Sequence, residues 1–416
     1  MAHLRPRIVQ AHINDALRFS PLVGILGQRQ VGKTTLVERL TSQYVTLDSP
    51  DALSAAELTP STFLSQWNGL TAIDECQKAP ALFPALKILV QKDKRPGQFL
   101  LTGSIRATTE LSTWAGTGRV VRLAMYPLTE REIAGDGLGD DLVTRLVDGW
   151  LDAIPYRLPT LDIDAYMRLA LRGSFPELAF VERTARQRRL WLDSYLDDLV
   201  TRDVESSGAA RDPVRLRRFV TTLALNLAGQ PSDASLVRDA GINAKTAAAY
   251  DRALTNLAIL DIVPAWNSNR LKRLTKASKR YLIDTALAAA AADVTEQDIL
   301  RDSDLRGRWF DAFAAMQLRA DLAAASPRRA MHHLRVEGGR HEVDLVVDLG
   351  RGRLFGIEFK AATAPTRQDA RHLIWLRDEL GTNFAGGVVL HSGQGVFELD
   401  TRIAAVPLSA VWVDPR

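Results

Sequence analysis

Short apolar runs recur through the first 125 residues, near positions 22–26, 44–48, 70–74, 98–103 and 119–124. Each is long enough for a buried strand, and stretches with apolar residues and charges at helical spacing separate them. Strands alternating with helices in this way predict a parallel sheet with crossover helices. Between 135 and 165, clustered Gly, Asp and Pro around one helical stretch predict a loop-rich excursion. Helical periodicity returns in "RQRRLWLDSYLDDLVTRDV". Beyond 219 the pattern changes. "FVTTLALNLAG", "DASLVRDAGI" and "NAKTAAAYDRALTNLAIL" read as three helices, the last two joined by a short Gly-containing turn, which is helix-turn-helix spacing. "DIVPAWNSNRLKRLTKASKRYLID" follows as two strand-like pieces around a polar tip, the pattern of a wing. In the last hundred residues, "RHEVDLVVDLGRGRLFGIEFKAAT" predicts two strands about a glycine turn, after a helix in "RGRWFDAFAAMQLRADL".

Composition narrows the class without choosing a function. The chain has 416 residues, 46% hydrophobic and 25% charged, which is ordinary for soluble protein and, at ~100–200 residues per domain, implies two to four domains. A lone cysteine, Cys76, excludes an internal disulfide framework and a cysteine-based zinc cluster. The net charge of +4 is mildly basic; it admits nucleic acid as a partner without pointing to it. No run approaches ~18 apolar residues, so no membrane span is expected. "MAHLRPRIVQ" lacks the hydrophobic region of a signal peptide, and a cytoplasmic location is expected.

The most specific chemistry lies at 27–36, "GQRQVGKTTL". Gly27, four residues, Gly32, Lys33 and Thr34 match the phosphate-loop pattern. The apolar run "PLVGIL" precedes it and the helical "TTLVERLTSQ" follows. The loop therefore sits between a strand and a helix N-terminus, where free amide groups and the helix dipole favour an anion. Residues Gly27, Gln28, Arg29, Gln30, Val31, Gly32, Lys33, Thr34 and Thr35 are the expected ATP-binding set. The two glycines are expected to supply positive φ, Lys33 to reach the β- and γ-phosphates, and Thr34 to ligate Mg2+. Downstream, "GLTAIDECQKAP" ends an apolar run in Asp74, placed to meet magnesium through water. Glu75 beside it is placed to orient or deprotonate the attacking water. "GQFLLTGSIR" ends in Thr102, Gly103 and Ser104, and Ser104 or Thr102 is a candidate to sense the γ-phosphate or position water. Ligands of such sheets bind at the carboxyl ends of the strands, where Gly27, Asp74 and Ser104 fall.

"GQRQVGKTTL", "AIDECQKAP", "LLTGSIR" and "GRVVRLAMYPLTERE" together resemble the AAA-type ATPases that carry a C-terminal domain of unknown function, numbered 4143. The resemblance continues through "LRGSFPEL" and "WLDSYLDDLVTRDV" and spans nearly the whole chain. It implies an AAA-type P-loop NTPase with ATP and Mg2+ as cofactors. Arg202 and Asp203 are a feature of that family. An arginine there or Arg119 is a candidate arginine finger or sensor, with a structural ion pair as the alternative.

The expected fold class is therefore α/β, organised as a P-loop ATPase core (1–134), a helical extension (135–215), a winged-helix-like module (216–290) and a C-terminal domain (291–416). In the wing, Arg270, Lys272, Arg273, Lys276, Lys279 and Arg280 are candidates to neutralise phosphates. Lys245 and Thr246 open the candidate recognition helix, and a lid or protein-contact role is the alternative to DNA. In the C-terminal domain Glu358 and Lys360, two apart on a strand, share a face, and the hairpin can bring Asp344 beside them. Two carboxylates and a lysine suffice to hold magnesium and polarise a water for phosphodiester attack. This arrangement resembles the D…E-x-K core of restriction-endonuclease-like folds. Asp311 on the preceding helix stands where such folds usually have Glu, and Gln368, expected on the helix after the lysine, is an auxiliary candidate. Expected partners are ATP, with DNA or a partner protein for the later modules.

Overall fold

The structure is a computed structural model describing residues 5–103, 120–135, 139–203, 212–267, 277–325, 329–336 and 339–413. Ser104, Arg119, Arg270, Lys272, Arg273 and Lys276 lie outside the described residues, as do the side chains of Arg202 and Asp203. The chain divides into two compact units. One comprises Pro6–Pro127 with Asn256–Ala258, and the other comprises Met1–Arg5, Leu128–Thr255 and Ile259–Arg416.

The unit 6–127 is built on a five-stranded sheet: β1 (Leu22–Leu26), β2 (Gln43–Thr46), β3 (Thr71–Asp74), β4 (Phe99–Gly103) and β5 (Val120–Ala124). The order is β2-β3-β4-β1-β5, with every pairing parallel. The central strands β1, β3 and β4 are buried along their whole length, whereas β2 and β5 are partly exposed. Covering both faces of a parallel sheet demands continuous apolar runs in its centre, which is why "LVGIL" and "FLLTG" do not alternate. Leu22, Ile73, Phe99 and Leu101 pack with Phe63, Leu82, Phe83 and Leu86 into one core.

The other unit contains the helices Pro213–Leu225, Asp233–Ala240 and Ala244–Asn256, then the antiparallel pair β6 (Leu260–Val263) and β7 (Lys279–Leu282). It also contains a mixed six-stranded sheet of β8 (Ala330–Val336), β9 (His341–Asp348), β10 (Leu354–Lys360), β11 (Phe384–His391), β12 (Phe397–Asp400) and β13 (Ile403–Pro407), in the order β12-β13-β11-β10-β9-β8. β8, β9 and β10 pair antiparallel, while β10, β11 and β13 run parallel. The helix Arg371–Leu380 buries Leu373 and Leu376 against this sheet.

The segment "LTERE" acts here as a strut. Thr129 and Glu132 form a reciprocal capping box at the short helix Glu130–Ala134, satisfying two otherwise unpaired amides. Arg131 pairs with Asp321 at 3.1 Å, with both side chains buried. Glu130 accepts from Arg172, and its amide donates to Gln317 Oε1 at 2.8 Å. Burial pushes Asp321 up to about 7 despite the opposing Arg131 charge. Among the described residues no helix is long and apolar enough to cross a membrane.

Candidate functional site

The loop 27–32 leaves β1 and enters the helix Lys33–Leu40. Its two glycines serve different ends. Gly32 has φ 94°, a backbone conformation in which a side chain is strained. Gly27 does not have positive φ, contrary to expectation. A Cβ there would lie 2.3 Å from the Met125 carbonyl oxygen, so glycine is required by close backbone approach. Gln30 takes the other left-handed position, at φ 63°. Arg7, buried ahead of the first strand, donates to the carbonyls of Val31 at 2.7 Å and Tyr126 at 2.6 Å, bracing the loop. No motif announced that role.

Lys33 Nζ turns into the loop and donates to the carbonyls of Gly27 and Gln28, each at 2.9 Å. Burial lowers its pKa, against the opposing pull of Glu75 and Asp74. The Thr34 hydroxyl donates to Asp74 Oδ2 at 2.7 Å, joining the start of the helix to the end of β3. Asp74 is buried and collects further donors: the Tyr44 hydroxyl at 3.0 Å, the Glu75 amide at 3.2 Å and the Thr102 hydroxyl. Thr102 therefore positions the carboxylate. Burial, and next to it the Asp74 charge, pushes the Tyr44 hydroxyl up to about 12, so it remains a donor. Glu75 is held in the left-handed region at φ 56° and accepts from the Gln77 side chain. A bulky residue in that conformation costs of order 1–3 kcal/mol and persists where surrounding contacts enforce it. Tyr44 was legible only as a strand residue, because its contact with Asp74 spans neighbouring strands.

A second cluster lies in the other unit. Asp344 on β9, Glu358 and Lys360 on β10, and Asp311 on the helix Ser303–Ala324 converge. Asp344 Oδ2 accepts from the Phe359 amide at 3.1 Å. Glu358 is buried, with Oε2 3.8 Å from Lys360 Nζ and Oε1 lacking a hydrogen-bond partner. Gln368 is not part of the cluster. It is exposed in the turn 367–370, ahead of the helix on which it was expected.

The group missing from the sequence-based constellation is Lys279. It was expected to face phosphate from the wing, yet its side chain is 2% exposed and its Nζ lies 2.9 Å from Asp344 Oδ1 and 3.3 Å from Asp311 Oδ2. Tyr281, two residues on and hence on the same face of β7, donates to Asp311 Oδ1 at 3.0 Å. Arg280, on the opposite face, pairs with Asp251 and Asp233, each at 2.8 Å, and is likewise not a free phosphate contact. The signal was present in "KRYL", since alternation buries Lys279 with Tyr281. In the sequence, however, Lys279 stands in a positive run from 270 onward, a composition typical of a solvated face.

Electrostatically the cluster is closed on itself. Burial opposes the Lys279 charge, but Asp311 and Asp344 outweigh it and raise the ammonium well above its ordinary range. Burial would likewise raise Asp344, but Lys279 and the Phe359 amide hold it low. Glu358 rises well above the usual carboxylate range, from burial first and then from Asp344 beside it. Among the described residues, no three acidic, histidine or cysteine side chains are set to hold a metal ion.

Residues 20–134 match the AAA domain family, 163–298 a domain of unknown function numbered 8612, and 306–411 the domain of unknown function numbered 4143. Two relatives, "Uncharacterized protein Rv2008c" of Mycobacterium tuberculosis and "Uncharacterized protein Mb2031c" of Mycobacterium bovis, are each 28% identical over 410 residues, covering 97% of this chain and 84% of theirs. Solved structures with partial likeness include a Thermotoga maritima RuvB variant at 16% identity, covering 66% of this chain and 99% of that one, with a TM-score of 0.30. Another is the Aeropyrum pernix ORC1 protein in complex with DNA, at 13% identity, covering 71% and 94%, with a TM-score of 0.29. The chain thus carries one segment that matches an AAA domain and another that matches the domain of unknown function 4143, the combination its motifs resemble.

Proposed function

We propose that the unit 6–127 binds ATP with Mg2+ and hydrolyses it. The observation that carries this reading is the 2.7 Å hydrogen bond between Thr34 and Asp74. It sets a hydroxyl and a carboxylate side by side, hard oxygen donors of the kind magnesium takes, which binds few protein ligands and keeps several waters. Thr34 and Asp74 would hold the ion, which would supply positive charge to offset that of the phosphate oxygens. The amides of 27–35 cradle the phosphates, and Lys33 exchanges loop carbonyls for phosphate oxygens. Glu75, next to the ligating carboxylate and fixed by its backbone, orients the attacking water and accepts its proton. Tyr44 and Thr102 keep Asp74 in place.

The test is a Glu75→Gln variant. Removing the base lowers turnover by about 10²-fold or more, while ATP still binds. Turnover within a few-fold of wild type would remove Glu75 from the mechanism.

In this reading nucleotide state governs the later modules, 135–215, 216–290 and 291–416. Three helices followed by an antiparallel strand pair support a winged helix for 216–290. A helix followed by the carboxylate-bearing β9–β10 hairpin supports a nuclease-like fold for 291–416. DNA is the partner the wing's basic composition would suit. The inward pairing of Lys279 and Arg280 favours the second reading, a nucleotide-gated switch that recognises DNA or a protein without cutting it. ATP turnover measured with and without DNA distinguishes the two classes of partner, since only a DNA partner would change the rate.

A further inference from the structure

The carboxylate cluster of the second unit has its own cation. Lys279 Nζ sits between Asp344 Oδ1 and Asp311 Oδ2, and each carboxylate's other oxygen is already engaged, by the Phe359 amide and the Tyr281 hydroxyl. The inner oxygens therefore point at one locus, and the ammonium fills it. Glu358 adds a third carboxylate, with an oxygen that is buried and without a hydrogen-bond donor. Lysine brings a compact single charge with three donors. A divalent ion at the same locus would use the same oxygens and bring a second charge beside Glu358, whose Oε2 already lies 3.8 Å from Lys360 Nζ.

We propose that Lys279 is a tethered cation holding the place of a divalent metal between Asp311 and Asp344, beside Glu358, and that an uncharged side chain at 279 opens the pocket to Mg2+ or Mn2+. The inference is independent of ATP hydrolysis in the other unit. It has a functional consequence. With Lys279 in place, metal-assisted phosphodiester chemistry at the β9–β10 hairpin is shut off, and the strand that would form the wing is what shuts it off.

Mn2+ binding to the full chain without nucleotide, followed by electron paramagnetic resonance, tests this. Four proteins are compared: wild type, Asp344→Asn, Lys279→Met and Lys279→Met with Asp344→Asn. Lys279→Met is expected to take up one Mn2+ more than wild type, bound at least tenfold more tightly than any Asp344-dependent ion of wild type, and the added Asp344→Asn change abolishes the gain. An Asp344-dependent ion bound equally by wild type and Lys279→Met would show that the lysine excludes nothing. A folded Lys279→Met protein that gains no ion would show that the pocket is not a cation site. Should Lys279→Met not fold unaided, refolding with Mn2+ is compared with refolding in K+. Recovery of the circular dichroism with Mn2+ alone supports the proposal, and recovery with neither ion overturns it.

Discussion

Asp74 is a buried strand carboxylate and Asp344 a strand carboxylate that is 19% exposed, and they are compensated in opposite ways. Asp74 is held by hydroxyls from Thr34, Tyr44 and Thr102 together with a backbone amide. Asp344 is held by an amide and an ammonium. Neutral donors orient a carboxylate without cancelling its charge, and a threonine hydroxyl can turn from donor to metal ligand. A lysine cancels the charge and occupies the space. Similar acidic residues are therefore bound by neutral donors in one place and by a built-in cation in the other.

The comparison can be broken most sharply at Lys279. Replacing it with Ala leaves Asp311 and Asp344, whose side chains are 13% and 19% exposed, without their partner, and removing one side of a buried pair costs up to about 3–5 kcal/mol. Chemical denaturation followed by tryptophan fluorescence should show that loss in the transition of the unit that holds β6–β13. A change below about 1 kcal/mol would mean the pair is solvated in solution.

A pH series sharpens the same contrast. His333 on β8 is buried, with its Nε2 against the Ala277 carbonyl at 2.9 Å, and burial lowers its pKa to about 4. The unfolded chain takes up the proton first as pH falls. The stability contribution is thus complete above the unfolded value near 6.5 and is lost as pH drops to about 4, amounting to about 3 kcal/mol at most. His333→Gln, which cannot charge, should flatten that part of the profile. An unchanged slope would mean that the ring is solvated.

The smallest of these effects belongs to the ATPase unit. Gly27→Ala drives a Cβ into the Met125 carbonyl, which should cost about 1–3 kcal/mol as overpacking does and weaken nucleotide binding with it. Binding and melting temperature equal to wild type would show that the loop relaxes away from Met125 freely.

The two sites also differ in how far the sequence disclosed them. The loop 27–32 and Asp74-Glu75 stand out because their pattern lies in contiguous residues flanked by strands whose periodicity is plain. Thr34 and Asp74 are 40 residues apart, yet each lies in its own motif. Tyr44, Thr102 as a partner of Asp74, and Arg7 belong to no motif, since they meet the site only through strand neighbours and chain crossing. In the second unit the β9–β10 hairpin and its carboxylates could be read, but Lys279 could not be placed. It stands 32 residues from Asp311 and 65 from Asp344, in a run whose charge suggests solvent. Long-range electrostatic compensation leaves no local pattern beyond an alternation that buries a charged residue.

The central claim, that Thr34 and Asp74 form the cation side of an ATP-hydrolysing site, is tested most directly by the Mg2+ dependence of ATP turnover in wild type and Thr34→Ala. Loss of the hydroxyl ligand should raise the Mg2+ concentration for half-maximal turnover by about tenfold or more while ATP continues to bind. An identical Mg2+ dependence in the two proteins would contradict the account.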